Sequence, residues 1–172
     1  MGVTGYEPRD WGCVEEVGPR EWHDLCCKSG GAGRRVLLDL RNYYESRIGW
    51  FVDGGGRASV RPGIRRFGQW PVWVRRMGEG LGSGLGGGEE ENREEEGRDV
   101  LAYCTGGIRC EKGVRFMVEK AGRPGDRVFT LRGGIAAYLM WMDGEIREGR
   151  KRPEESLFKG RNYVFDARGS TG

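Results

Sequence analysis

The 172-residue chain has a single histidine, His23, and no C-x-x-C pair, so the usual donor sets of a structural zinc site are missing. Its cysteines, Cys13, Cys26, Cys27, Cys104 and Cys110, are odd in number, and two are adjacent. That is a poor disulfide framework, and reduced thiols in the cytosol are expected. No apolar run is long enough to span a bilayer. The opening MGVTGYEPRDWG lacks the basic head and apolar stretch of a secretory leader, and Tyr6 stands where a myristoylation motif wants Ser or Thr. Charge of one sign is also not in excess. With 29 basic and 26 acidic side chains the net charge is +3, which does not by itself point to nucleic acid. Neither a metal, a cofactor nor a membrane is expected on these grounds. The oligomeric state is left open.

What the chain has in quantity is glycine, 33 residues, many of them clustered. The most informative cluster lies in DVLAYCTGGIRCEKGVRFMVEKA, residues 99–121. Val100 to Tyr103 is a short apolar run and reads as a buried strand. Thr105-Gly106-Gly107 reads as a tight turn. From Cys110 onward, Val114, Met117, Val118 and Ala121 are spaced for one helix face, and Gly122 stands where a helix C′ residue is favoured. Cys104 is thus expected at the end of a strand, just before a helix N-terminus. Unpartnered N–H groups and the helix dipole favour negative charge there. A thiol in that position loses its proton more easily, and Arg109 adds a fixed positive charge. Cys104 is therefore the candidate nucleophile. Cys110 reads as a small residue of the first helical turn, with resolution of an oxidised or persulfidated Cys104 as the alternative.

Ahead of this stretch, residues 1–17 read as a flexible lead-in. Pro19 opens a helix over about residues 19–28, with Trp22, Leu25 and Cys26 on its apolar stripe. His23 falls off that stripe, so a surface or capping role is expected rather than catalysis. Val36 to Leu40 reads as a buried strand. Asp39, Arg41 and Glu45 follow at spacings that let Arg41 bridge back to a carboxylate, read as a structural ion pair fixing the turn, with a direct substrate contact as the alternative. Ile48 to Phe51 is expected to return to the core. A second short strand is expected near Ala58 to Val60, after Gly54-Gly55-Gly56. Trp70, Trp73, Val74 and Met77 lie at helical spacing and read as core. Arg61, Arg65, Arg66, Arg75 and Arg76 make the most basic neighbourhood, read as a solvated helix side with an approach surface for nucleic acid as the alternative. Residues 78–98 are a Gly/Glu-rich low-complexity insertion, expected to be disordered.

Beyond the Cys104 unit, Arg127 to Leu131 reads as a strand, and Arg132-Gly133-Gly134 turns into a helix carrying Ile135, Tyr138, Leu139 and Met142 on one face. Residues 144–156 read as a charged loop and Tyr163 to Asp166 as a last extended segment. Strands alternating with helices imply an α/β fold, a mostly parallel central sheet with helices on both faces. Ligands of such sheets bind beyond the carboxyl ends of the strands, where Cys104 and Gly133-Gly134 both fall.

YCTGGIRCEK, supported by LLDLRNYYESRIGWF, RRFGQWPVWV, LRGGIAAYL and YVFDAR, resembles the active-site loop and flanking motifs of rhodanese domains. The branch is the one that includes the tRNA uridine-34 hydroxylases and eukaryotic rhodanese domain-containing relatives. The resemblance implies a rhodanese-like fold as a single domain over 18–168 with a tail at 169–172. It implies a catalytic Cys104, with Thr105, Gly106, Gly107, Ile108 and Arg109 as the substrate cradle and Asp39, Arg41, Glu45, Cys110, Gly133 and Gly134 in support. The implied activity is cytoplasmic sulfur transfer, thiosulfate sulfurtransferase-like. A Cys104 persulfide would carry sulfane sulfur from a small sulfur donor to a thiol or cyanide acceptor, and the loop amides would hold the anionic sulfur. Hydroxylation of a tRNA wobble uridine, with tRNA as partner, is the alternative. A non-catalytic interaction module is a weaker one. Phosphatases also close a cysteine loop with arginine, but over a longer span than the Thr105–Ile108 stretch here.

Overall fold

A computed structural model describes residues 14–28, 35–80 and 97–163. Cys13, the lead-in up to it, most of the Gly/Glu-rich insertion, the residues after Tyr163 and the tail lie outside that set.

Strand β1 (Val14–Val17) leads through helix α1 (Pro19–Cys27) to β2 (Arg35–Asp39). A one-turn helix α2 (Tyr43–Ser46) and a short β3 (Gly49–Phe51) follow, then α3 (Trp70–Gly80). The second half runs β4 (Asp99–Tyr103), α4 (Ile108–Ala121), β5 (Arg127–Leu131), α5 (Gly134–Arg147) and β6 (Phe158–Gly160). The main sheet has the order β1-β5-β4-β2 and every pairing in it is parallel. β3 and β6 form a separate antiparallel pair.

The strands read as continuous apolar runs because both their faces are covered. Side chains alternate across the sheet, so each strand feeds two cores. Leu37, Leu101, Tyr103, Phe129 and Leu131 pack against Trp22, Ile135, Tyr138 and Met142, under α1 and α5. Leu38, Val100, Ala102, Cys104 and Val128 pack with Trp70, Val74, Val114 and Phe116, under α3 and α4. α3 locks onto α4 where Trp70 Nε1 donates to the carbonyl of Gly113 at 2.8 Å.

Several expectations need correction. Val14–Val17 is not lead-in but an edge strand whose outward residues are Glu15 and Glu16. His23 is buried, not on the surface: its Nδ1 meets Tyr138 Oη at 3.0 Å and its ring lies against Trp141. Ile48 is exposed although it adjoins a core strand. Ala58 and Val60 make only isolated bridges, to Val52 and Leu38. α4 begins at Ile108 rather than Cys110, and Gly122 ends it with φ −68°, outside the left-handed region. Residues 144–147 continue α5, because Ile146 packs on the core. The last described strand is β6; the extended segment expected at Tyr163 to Asp166 lies, beyond Tyr163, outside the described residues.

Candidate active site

The site forms where β4 ends between its neighbours β2 and β5. Cys104 follows Tyr103, whose carbonyl accepts the N–H of Leu40 at 2.9 Å. Gly107 has φ +91°, a conformation that only glycine takes without strain, and this turns the chain into α4. The turn aims backbone donors inward. Gly107 N–H lies 3.1 Å from Cys104 Sγ, and the backbones of Arg109 and Cys110, the latter donating to the Gly107 carbonyl at 3.1 Å, help to lower the pKa of that sulfur.

The second glycine turn reaches the same place. The amides of Ile135 and Ala136, in the first turn of α5, donate to the carbonyls of Cys104 at 3.0 Å and Thr105 at 3.2 Å. Gly134 has φ +62°, and a Cβ there would stand 2.5 Å from the Cys104 carbonyl oxygen. Only glycine lets the two loops approach this closely. The carbonyls of Cys104 and Thr105 are thus taken by α5, while the N–H of Gly107 is turned to the sulfur.

Glu45 clamps the loop from the other side. Its buried carboxylate accepts Thr105 Oγ1 at 2.8 Å, Arg109 Nη1 and Nη2 at 2.6 Å each, and its own helix-entry amide, Asn42 N–H, at 3.1 Å. Burial alone would raise the Glu45 carboxyl, but the Arg109 hydrogen bonds and charge outweigh it and hold the group below its ordinary range. Beneath it, Arg41 and Asp39 form a fully buried bidentate pair, with Nε to Oδ1 at 2.9 Å and Nη2 to Oδ2 at 2.7 Å. Arg41 also donates to the carbonyls of Glu45 and Gly49. The expected ion pair is therefore Arg41 with Asp39, while the Glu45 carboxylate belongs to Arg109. Sequence separation hides that partnership, although the N-x-x-E spacing of Asn42 and Glu45 at a helix start is a usable signal.

Cys104 itself is buried, 1% exposed, with Gly106 exposed and Ile108 79% exposed in the loop above it. The Cys110 thiol hydrogen-bonds to its sulfur and lowers its pKa most. Burial opposes this, and the Cys110 and Arg109 amides with the Arg109 charge add to the lowering, bringing the group down to about 6. The Cys110 thiol is driven the opposite way, well above its ordinary value, because it is the donor to Cys104 and is itself buried. At neutral pH the pair is one thiolate and one thiol. Of the expected cradle, Gly107 supplies an amide, Thr105 turns its hydroxyl to Glu45, and Arg109 and Cys110 lower the pKa of the sulfur. Cys26, Cys27, Cys104 and Cys110 are all free. Among the described residues, no group of three or more His, Cys, Asp or Glu side chains could hold a metal ion.

No family model matches the chain. It is 35% identical over 156 residues to a rhodanese-like domain-containing protein of Arabidopsis thaliana, covering 88% of this chain and 22% of that protein. It is 34% identical over 154 residues to the tRNA uridine(34) hydroxylase of Anaplasma phagocytophilum, covering 90% of this chain and 43% of that protein. A solved rhodanese-like domain from Anabaena aligns over 97% of this chain and 87% of its own, with a TM-score of 0.48 and 15% identity. The chain's homologues are thus rhodanese-like domain proteins. Among them stand the tRNA uridine(34) hydroxylases. The chain spans less than half the length of these curated relatives.

Proposed function

We propose that Cys104 is a nucleophile and that the chain acts on tRNA, hydroxylating uridine 34, the reaction that the names of its bacterial relatives give for those proteins. The observation that carries this is the Gly107 amide 3.1 Å from a sulfur whose pKa Cys110 and Arg109 help to bring down to about 6. An ionised thiol is the form that attacks an electrophilic carbon or sulfur. Conjugate addition of Cys104 Sγ to C6 of a uracil ring moves the C5=C6 π-electron pair toward O4 and makes C5 electron-rich; C5 then takes an oxygen atom from a peroxide-level two-electron oxidant supplied from outside the chain, whose O–O bond breaks as the C5–O bond forms. Glu45 and Arg109 hold the loop in place through the addition and the later elimination, in which the C5 proton is lost, the C5=C6 double bond re-forms, the C6–S bond breaks and the thiolate returns. This work falls in the cytoplasm, where tRNA is modified. No helix of the described residues is long and apolar enough to cross a membrane.

The test is mass spectrometry of tRNA from a strain lacking the gene, complemented with the wild type or with Cys104→Ser. Uridine 34 gains one oxygen with the wild type only. Equal products in the two strains refute the proposal.

The compact loop favours a second reading, sulfur transfer. With only Thr105 to Ile108 between Cys104 and Arg109, the amides enclose a space suited to one added sulfur atom. The thiolate would attack the sulfane sulfur of thiosulfate and break its S–S bond, and sulfite would leave. The persulfide would then pass its outer sulfur to a thiol or to cyanide. Intact-mass analysis after thiosulfate exposure decides, one extra sulfur on the Cys104 peptide supporting this reading and an unchanged mass removing it.

A further inference from the structure

The surface beside the Cys104 loop combines exposed aromatic rings with arginines. Tyr43 and Tyr44, the first residues of α2, are 45% and 43% exposed. They directly precede Glu45, so the residue that clamps Thr105 and Arg109 also fixes the position of both rings relative to Cys104. Tyr43 is tied a second way, by its N–H to the carbonyl of Ile64 at 2.7 Å. That bond ties α2 to the segment 61–66, which carries Arg61, Arg65 and Arg66. Arg61 adds another link, donating to the Ser46 carbonyl at 3.3 Å while its guanidinium lies 4.6 Å from the centre of the Trp50 ring. Arg47 closes the group, 5.4 Å from the centre of the Tyr43 ring. Tyr44 meets Tyr163 edge to face at 5.2 Å.

The charge of the described residues here is unbalanced. Among the described residues, no carboxylate forms an ion pair with Arg47, Arg61, Arg65 or Arg66. The two nearby acids are already committed, Asp39 to Arg41 and Glu45 to Arg109. Elsewhere the exposed arginines are mostly matched, as Arg57 is by Asp53, Arg127 by Asp99 and Arg150 by Glu145. Exposed rings next to uncompensated guanidinium groups are the chemistry of single-stranded nucleic-acid binding, in which bases stack on the rings and phosphates neutralise the arginines. Duplex RNA offers no free base faces and does not use the tyrosines.

We propose that α2 and the 61–66 segment form a cradle for a single-stranded RNA loop. Tyr43 and Tyr44 stack the bases that flank the target uridine, and Arg47, Arg61, Arg65 and Arg66 hold the phosphates. The exposed Ile108 side chain gives the target base an apolar contact as it enters over Cys104. The cradle rests on the reading that the chain acts on tRNA, and it names the residues that select an unpaired loop.

The experiment measures fluorescence anisotropy of a labelled anticodon stem–loop with the full 172-residue chain, over a range of salt, with an RNA duplex of equal length as comparison. Tyr43→Ala/Tyr44→Ala weakens loop binding roughly tenfold or more, the loss expected when a base loses its stacking partner. Tyr43→Phe/Tyr44→Phe keeps the rings and binds within about twofold of the wild type. Arg65→Ala/Arg66→Ala flattens the dependence of log affinity on log salt by roughly one for each phosphate that is no longer neutralised. Alanine variants that bind like the wild type, a duplex bound as tightly as the loop, or no binding at all would each overturn the cradle. The catalytic reading is judged separately, from hydroxylated uridine in cellular tRNA. Loop binding that needs the tyrosines, in a protein that adds no oxygen to uridine, keeps the cradle and removes the hydroxylase reading. Hydroxylation that survives the tyrosine-to-alanine change removes the cradle alone.

Discussion

Replacing Cys110 by alanine tests the electrostatics of the loop directly. The Cys110 thiol is the largest single contributor to the low pKa of Cys104, ahead of the Cys110 and Arg109 amides and the Arg109 charge, with burial working against all of them. A hydrogen bond to a charged group is worth about 1.5–3 kcal/mol, and a thiol is a weak donor, so the lower end applies. One pKa unit corresponds to about 1.4 kcal/mol, which puts the shift at about one unit upward. At about pH 7, the ionised fraction of Cys104 then falls from roughly nine-tenths to roughly half. The assay is the rate of iodoacetamide alkylation of the Cys104 peptide as a function of pH, read by mass spectrometry. Its midpoint should rise from about 6 in the wild type by about one unit in Cys110→Ala. Cys110→Ser restores a stronger donor and should bring the midpoint back to or below the wild-type value. A Cys110→Ala midpoint that stays put or falls would show that the backbone amides alone set the thiolate, and the argument from the paired thiols would fail.

Three further substitutions test other contacts of the fold. Glu45→Gln leaves the partly buried Arg109 cation without its counter-charge, and should cost about 3–5 kcal/mol in chemical denaturation; a loss under about 1 kcal/mol would mean the clamp is not structural. Because the Glu45 carboxyl is held below its ordinary range, its contribution is present above the unfolded carboxylate pKa and is lost as pH falls through the folded value, so Glu45→Gln should also flatten the acid limb of the stability curve. His23 is lowered from 6.5, by burial first and then by the Lys151 charge, so the unfolded chain takes up its proton more readily than the folded one. Stability should therefore decline as pH drops below about 6.5, and urea midpoints should show a smaller decline in His23→Gln; an equal decline would place the sensitivity elsewhere. Gly134→Ala puts a methyl 2.5 Å from the Cys104 carbonyl at a positive φ, and should both lower the melting temperature and slow Cys104 alkylation; normal values of both would refute the close approach as described.

The parts of the fold that are readable from sequence are those buried on two sides or punctuated by glycine. β2, β4 and β5 are runs of aliphatic residues, and α4 and α5 each follow a glycine turn, so pattern and chemistry agree there. β1 is not legible because an edge strand of four residues with Glu15 and Glu16 facing water has no apolar pattern to find. His23 departs from its expected place because α1 is covered more widely than one stripe implies, with Trp22 buried against Phe51 and Tyr103 and His23 against Tyr138 and Trp141 of α5. Cys104 and the inward turn of its amides follow from local rules, but the Glu45–Arg109 clamp joins residues 64 positions apart, and local spacing cannot report such a contact. Cys110 as donor to Cys104 depends on the first turn of α4 starting at Ile108, a boundary that the periodicity sets two residues late.

The hydrogen bonds from Ile135 and Ala136 to the Cys104 and Thr105 carbonyls have a thermal consequence. The reactive loop has no separate melting step, since releasing it means fraying the start of α5, whose Ile135 and Tyr138 side chains are wholly enclosed. Loss of thiol reactivity on heating should therefore coincide with the cooperative unfolding of the whole domain, so that a calorimeter and an alkylating reagent report one transition.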